Sequence, residues 1–182
     1  FLLGTLLGTF IAILLWWSAT LSRIFDPYLV VLNALPKIAL GPILIVWFGA
    51  GMKSIIVMGL LISLVVTIMT VLAGFNAITD EKQLLMRTLG ASKLQILTMA
   101  VLPASVPTIM SALKISVGMS WVGVIVGEYL VSKAGLGYLI VYGGQVFNLD
   151  LVMASIVILC VLAALMYYAV AYLERRIGQR MV

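Results

Sequence analysis

Histidine is absent from this chain of 182 residues, cysteine occurs once, and charged residues make up only 9% of it. Each shortage removes a class of function. With no histidine and few carboxylates outside the loops, there is almost no raw material for a metal site or for histidine-based nucleophilic catalysis. The single Cys160 lies inside an apolar run, so no disulfide framework exists. No G-x-x-x-x-G-K-[ST] stretch occurs, so the chain cannot cradle nucleotide phosphates in that way, and any ATP-driven process needs hydrolysis on a separate subunit. Gly135-Leu136-Gly137 is not a dinucleotide fingerprint, because no strand precedes it and the spacing is wrong. No nucleophile–base pair stands out, and the Ser and Thr residues within apolar runs read as helix-packing or backbone-bonding groups.

What is abundant is apolar surface. The hydrophobic fraction is 64%, with runs near or above the ~20 residues that cross a bilayer as a helix. The class is therefore all-α, a polytopic transmembrane helical bundle. The formal charge of +5 is scattered over short loops and reads as headgroup and topology charge, not as a nucleic-acid surface.

The chain begins at Phe1 inside an apolar run and without an initiator Met, and is expected to be a piece of a longer protein. Phe1 to Leu21 lacks the basic start of a signal peptide and exceeds its usual apolar length. Gly4 and Gly8 give this helix a close-packing face, and Arg23 with Asp26-Pro27 is expected to end it. Tyr28 to Leu35 reads as a short amphipathic piece ended by Pro36. Ile38 to Gly51 is short for a span and is interrupted by Gly41-Pro42, so the two together suggest a helix broken inside the protein. Ser54 to Phe75 is a clean span. Pro107 to Gly127 is another, with Ser116, Ser120, Gly123 and Gly127 as a small-residue stripe. Glu128 to Asp150 reads as a loop with a short interfacial or re-entrant helix. Leu151 to Leu173 is the last span, closed by Glu174-Arg175-Arg176 and Arg180. Residues 1–182 form a single transmembrane domain in this reading. Trp16, Trp17, Trp47 and Trp121 read as packing or interface-belt residues.

Between two of the spans lies Asp80 to Pro107, which contains residues 80–103 as a candidate two-helix loop. Asp80 with Gln83, and Ser92 with Gln95, have capping-box spacing. Gly90 between them suits a left-handed bend, and Pro103 and Pro107 mark the start of the next element. Leu84, Leu85, Leu89 and Leu94 carry apolar faces, while Lys82, Arg87 and Lys93 hold the segment at the water or headgroup layer. With this loop on the cytoplasmic side, Arg23, Lys37, Lys82, Arg87, Lys93, Arg175, Arg176 and Arg180 lie inside, against Lys53 and Lys133 outside, as the positive-inside rule requires.

The residues Gly90-Ala91-Ser92, followed by Leu102-Pro103 twelve positions after Gly90, resemble the signature loop of ATP-binding-cassette importer permeases. Leu84-Leu85-Met86 stand where that family has Glu-Ala-Ala, and Ala100 replaces its usual Ile. Leu35-Pro36, Ile45-Val46-Trp47-Phe48-Gly49, Leu113-Lys114, Gly127-Glu128 and Gly135-Leu136-Gly137-Tyr138 are similar to the nitrate, sulfonate and taurine branch, so the likeness runs from about Pro27 to Arg176. The resemblance implies a methionine-permease-like core of about five membrane segments, with at least one span preceding Phe1. It also implies a multi-pass position in the bacterial cytoplasmic (inner) membrane, and a homodimer or pseudo-dimer with a second permease copy. The implied partners are two cytoplasmic ATPase subunits, which would bind the ATP and Mg, and an extracytoplasmic solute-binding protein. The loop residues it implies for ATPase coupling are Leu84, Leu85, Met86, Arg87, Leu89, Gly90, Ala91, Ser92, Leu102 and Pro103. This chain would hold no cofactor, perform no covalent chemistry, and meet membrane lipid but no nucleic acid.

Three residues are candidates for a solute pathway: Lys114, Ser120 and Glu128. Lys114 follows Pro107 by seven positions, about 10 Å of helix. Either its stem returns to the headgroups or its charge faces a path suited to a small anionic solute. Glu128 lies about 30 Å along the same helix, where it pairs locally or holds the glycine-rich outer loop. A secondary transporter or channel working without an ATPase is the alternative, but it would require coupling-ion groups near the midplane and often repeated halves.

Overall fold

The structure, a computed structural model, describes residues 1–78, 80–131 and 134–178, with the side chains of residues 80, 81, 177 and 178 left out. Lys133 and Arg180, two of the cations used for orientation, and the side chain of Asp80 in the first proposed capping box therefore lie outside the described residues. The described elements are helical throughout: α1 (Leu2–Trp17), α2 (Ala19–Ala34), α3 (Gly41–Phe48), α4 (Met52–Asn76), α5 (Asp80–Thr88), α6 (Lys93–Ile96), α7 (Leu102–Val131), α8 (Leu136–Gln145) and α9 (Leu149–Gly178). A 3-10 turn, Lys37–Leu40, leads into α3, and a π-helical turn, Leu97–Val101, joins α6 to α7.

Among the described residues, three stretches are long and apolar enough to cross a membrane: Met52–Asn76, Lys93–Val131 and Leu149–Arg176. A fourth crossing is available if α2 and Lys37–Phe48, bent by 86° at their junction, count as one broken span. The bend falls at Leu35-Pro36, whereas Gly41-Pro42, expected from sequence to interrupt the segment, lies within the continuous stretch Lys37–Phe48, where a proline without an N–H fits the first turn of α3.

Two further expectations about helix boundaries differ from the structure. The first apolar run does not continue to Arg23 and Asp26-Pro27, because α1 stops at Trp17, giving a helix of 16 residues. Ser18 takes an extended conformation, and its side chain accepts the N–H of Leu21 to cap α2, which then runs through Pro27 to Ala34. A serine able to satisfy a new helix start outcompetes the downstream charges and proline as the break point. Pro103 and Pro107 also do not open a separate element. They lie within one continuous helix from Lys93 to Val131, where the widened π turn immediately before Pro103 relieves the ring's collision with the preceding turn.

The bundle is assembled around α4 and α7, which run antiparallel. A Cβ placed on Gly123 would come within 2.5 Å of the Gly59 Cα, one on Gly127 within 3.0 Å of the Ile55 Cα, and one on Gly74 within 2.6 Å of Thr108 Cγ2. The contact positions advance in equal steps along both helices, so the two axes stay in register from Ile55·Gly127 to Gly74·Thr108. Ser116, Ser120, Gly123 and Gly127 are all buried, and the stripe seen in the sequence faces α4 rather than lipid. On an adjacent stripe α4 receives α1, with Gly4 against Ser63 and Gly8 against Thr67. The hydroxyls of Ser63 and Thr67 donate back to the carbonyls of Gly59 and Ser63, which spares them a buried unpaired state.

The main apolar core gathers Leu15, Leu29, Ile68, Val71, Phe75, Ile96, Leu97 and Val101 at the end of the bundle that carries α5 and α6. A smaller cluster of Leu44, Met58 and Ile62 lies towards the opposite end. Lys37 precedes Gly41, which packs on Leu130 and Met58. It therefore does not stand with the other inner cations at the α5–α6 end, and its Nζ donates to the Asn33 carbonyl instead. Because Gly123 rests on backbone while Gly118 has nothing within 4 Å, Gly123→Leu should lower stability by roughly 1–3 kcal/mol. Gly118→Leu should melt near wild type. Equal melting temperatures for the two variants in detergent would refute the close α4·α7 contact.

Candidate functional site

The bend between α5 and α6 is built by local hydrogen bonding. Gly90 has φ +81, the left-handed region that glycine reaches without a Cβ penalty. Its N–H donates to the Arg87 carbonyl and the Ala91 N–H to the Met86 carbonyl, both at 3.0 Å, the paired bonds of a Schellman stop. Ser92 then caps α6 reciprocally: its hydroxyl accepts the Gln95 N–H at 3.3 Å, and its own N–H donates to Gln95 Oε1 at 2.7 Å.

This geometry sorts the loop's side chains. Leu84, Leu85 and Leu89 are 61%, 61% and 78% exposed, and they form an outward apolar surface with Leu94. Met86 does not share that surface. It is half-buried and packs on the main core together with Ala91 and Leu102, because the Schellman stop brings the residues around its two bonds against each other and against α7. Pro103 is exposed on the continuous helix. Lys93 also differs from a free rim charge. Its ammonium donates to the Trp17 carbonyl at the C-terminal end of α1 and lies 5.9 Å and 5.5 Å from the Trp16 and Trp17 rings. Arg87 is exposed and makes no ion pair among the described residues.

The three pathway candidates do not converge. Along α7, Lys114 and Glu128 are separated by about 21 Å and only about 40° of rotation, whereas Ser120 lies on another face. Lys114 is ion-paired to Glu174 of α9, with Nζ at 2.8 Å from Oε2 and 3.0 Å from Oε1. It borders a cavity of about 710 Å³ lined also by Tyr167, Tyr168, Tyr172 and Arg175. Glu128 accepts the Gly137 N–H at 2.8 Å and fills the space a side chain at Gly135, φ +111, would need. It thereby holds the N-terminus of α8 onto α7. Ser120 faces the α1·α4 seam beside a cavity of about 340 Å³ that Gly59 and Val124 also line. Its hydroxyl, like those of Ser116 and Thr5, is buried without a hydrogen-bond partner among the described residues.

Glu174 as the partner of Lys114, and Lys93 as the clasp on α1, were not singled out from sequence. Both pairings join residues far apart in the chain, 60 and 76 positions respectively. The only advance signal was that Lys114 was a cation set within an apolar run.

A polytopic helical bundle with a capped, glycine-bent loop between two spans is an architecture suited to a membrane transport component. The comparison with known proteins agrees: the family described as binding-protein-dependent transport system inner membrane component matches residues 4–179, and the chain belongs to it. It is 35% identical over 178 residues to a probable ABC transporter permease protein of Haemophilus influenzae, covering 96% of this chain and 71% of that one. It is 34% identical over 180 residues to a putative aliphatic sulfonates transport permease protein, SsuC, of Bacillus subtilis, covering 97% and 64%. It is 29% identical over 174 residues to the taurine transport system permease protein TauC of Escherichia coli, covering 96% and 63%. The chain thus spans a little under two thirds of the length of the last two relatives.

The bend makes a specific demand on residue 90. Gly90→Val should lower the melting temperature, at a cost of about 1 kcal/mol or more. Gly90→Asn, which tolerates the left-handed region, should stay close to wild type. If valine and asparagine behave alike, φ at this position is not what stops α5.

Proposed function

We propose that this chain is the translocation subunit of an ATP-driven importer in the bacterial cytoplasmic membrane. It would carry a small anionic solute delivered by a binding protein, work beside a second permease copy, and leave ATP and Mg to a partner ATPase. The observation that carries this reading is the loop's division into an outward leucine face and an inward anchor. Leu84, Leu85 and Leu89 are exposed, while Met86, Ala91 and Leu102 are fixed to the core. Such a face suits docking of a short helix into an apolar groove on a partner.

Mechanically, the loop is continuous with the lever it would drive. Lys93–Val131 is a single helix of 39 residues, about 58 Å long, and Glu128 near its far end holds α8 through Gly137. A partner that closes on ATP and opens after hydrolysis would move the bend, and α7 would carry that displacement to the opposite end of the bundle. The in-register α4·α7 contact makes the pair rock together between discrete packings. The subunit itself makes and breaks no covalent bond. A sulfonate or comparable anion is compatible with Lys114, whose resident counter-ion Glu174 is a side chain that an incoming anion could replace. The sulfonate and taurine systems among the relatives support that class of solute.

In the complete importer reconstituted in vesicles, Leu85→Asp should lower the amount of solute moved per ATP by placing an unpaired carboxylate in the docked face. Charge reversal at Arg87 should weaken coupling only modestly. Normal transport per ATP by Leu85→Asp, with the ATPase still bound, would show that the leucine face is not the docking surface.

A further inference from the structure

On the inward side of the bend, facing the bundle rather than the leucine surface, lies a cavity of about 310 Å³. Its walls come from α1, α2, the end of α4, α5 and α6, and it draws three cations together: Arg23, Arg87 and Lys93. Asn76 and Gln83 add neutral polar groups, and no carboxylate lines it among the described residues. Of the three cations only Lys93 has a described partner, the Trp17 carbonyl, and a carbonyl leaves the ammonium's charge uncompensated. Ala19 and Ser22, on the first turn of α2, also line the cavity. The N-terminal end of that helix, capped at Leu21 by Ser18, adds a smaller positive potential. Three exposed cations gathered in one concavity give it a positive potential suited to an anion.

The position of the cavity decides which anion. Trp16 lies in its wall and Trp17 beside Lys93, and tryptophan at a helix end marks the headgroup layer of a bilayer. Basic pockets between membrane helices on the cytoplasmic side suit acidic lipid headgroups. We infer that this cavity binds the phosphate headgroup of an anionic phospholipid. The lipid then clasps α1 and α2 to the bend, through Arg23 on one side and Arg87 and Lys93 on the other. This goes beyond the transport reading and does not depend on what the solute is.

The test uses the whole importer, purified from nanodiscs containing equal phosphatidylglycerol and phosphatidylcholine, with retained lipid counted by native mass spectrometry. Wild type should keep phosphatidylglycerol in excess. Arg23→Gln with Arg87→Gln should reduce that retention by about thirtyfold, at about fivefold per cation removed. Arg87→Lys should retain it, which separates loss of charge from loss of fold. Retention of both lipids equally by wild type, or undiminished phosphatidylglycerol in the double glutamine variant, would overturn the inference. So would displacement of the lipid by millimolar inorganic phosphate with unchanged thermal stability, since the cavity would then serve a soluble anion. The ATPase rate of the same samples reports separately on the transport reading.

Discussion

The backbone contact between α4 and α7 at Gly59·Gly123 is the constraint on which the rest of this bundle depends. Apolar side chains gain little from burial against one another when lipid is the alternative, so helices in a membrane associate by close approach and van der Waals contact. Gly123 meets Gly59 and Gly127 meets Ile55, and this sets the distance between the two axes. Once it is set, Gly74 must meet Thr108, and Ser105 comes within reach of the Gly74 carbonyl at 3.3 Å. The main core then forms where α5 and α6 fold back beneath α4. α1 joins by the same device on an adjacent stripe of α4, with two more glycines. The fold is thus specified less by large residues that fill space than by small ones that leave none.

Much of this was legible in the sequence because glycine, proline and serine act locally. The small-residue stripe on α7, the left-handed bend at Gly90, the Ser92–Gln95 box and the helix stop at Pro36 are all decided within a few residues. The errors came where a local signal had a rival. Asp26-Pro27 was a plausible stop, but Ser18 offered a better cap earlier. Pro103 was a plausible start, but the π turn let the helix pass through it. What could not be read at all were the long-range polar partners. Lys114 with Glu174, and Lys93 with the end of α1, depend on the three-dimensional arrangement of helices, which no periodicity encodes.

The polar groups that remain are distributed to match the apolar frame. Lys114 and Glu128 lie near one face of α7, each engaged by a different neighbour, α9 for the first and α8 for the second. Ser116 and Ser120 lie on the side towards α4, without hydrogen-bond partners among the described residues. Helix α7 therefore has one face tied by charge and one held mainly by close contact, with the Ser105–Gly74 hydrogen bond at one end. The contact face can shift at the loss of that one hydrogen bond, whereas the charged face can move only by exchanging partners.

The π-helical turn at Leu97–Val101 has a consequence for phase. It places one extra residue in a helix that otherwise repeats every 3.6, so everything preceding it is rotated by about 100° relative to an uninterrupted α-helix. The bearing of the bend, and with it the direction in which the exposed leucines point, is set by that single surplus residue rather than by the spacing of the loop itself. A chain one residue shorter at this turn would keep every glycine contact of α7 and every bond of the Gly90 stop, yet would point its leucine face about a quarter-turn away. The π turn acts as an angular spacer between two surfaces that never touch.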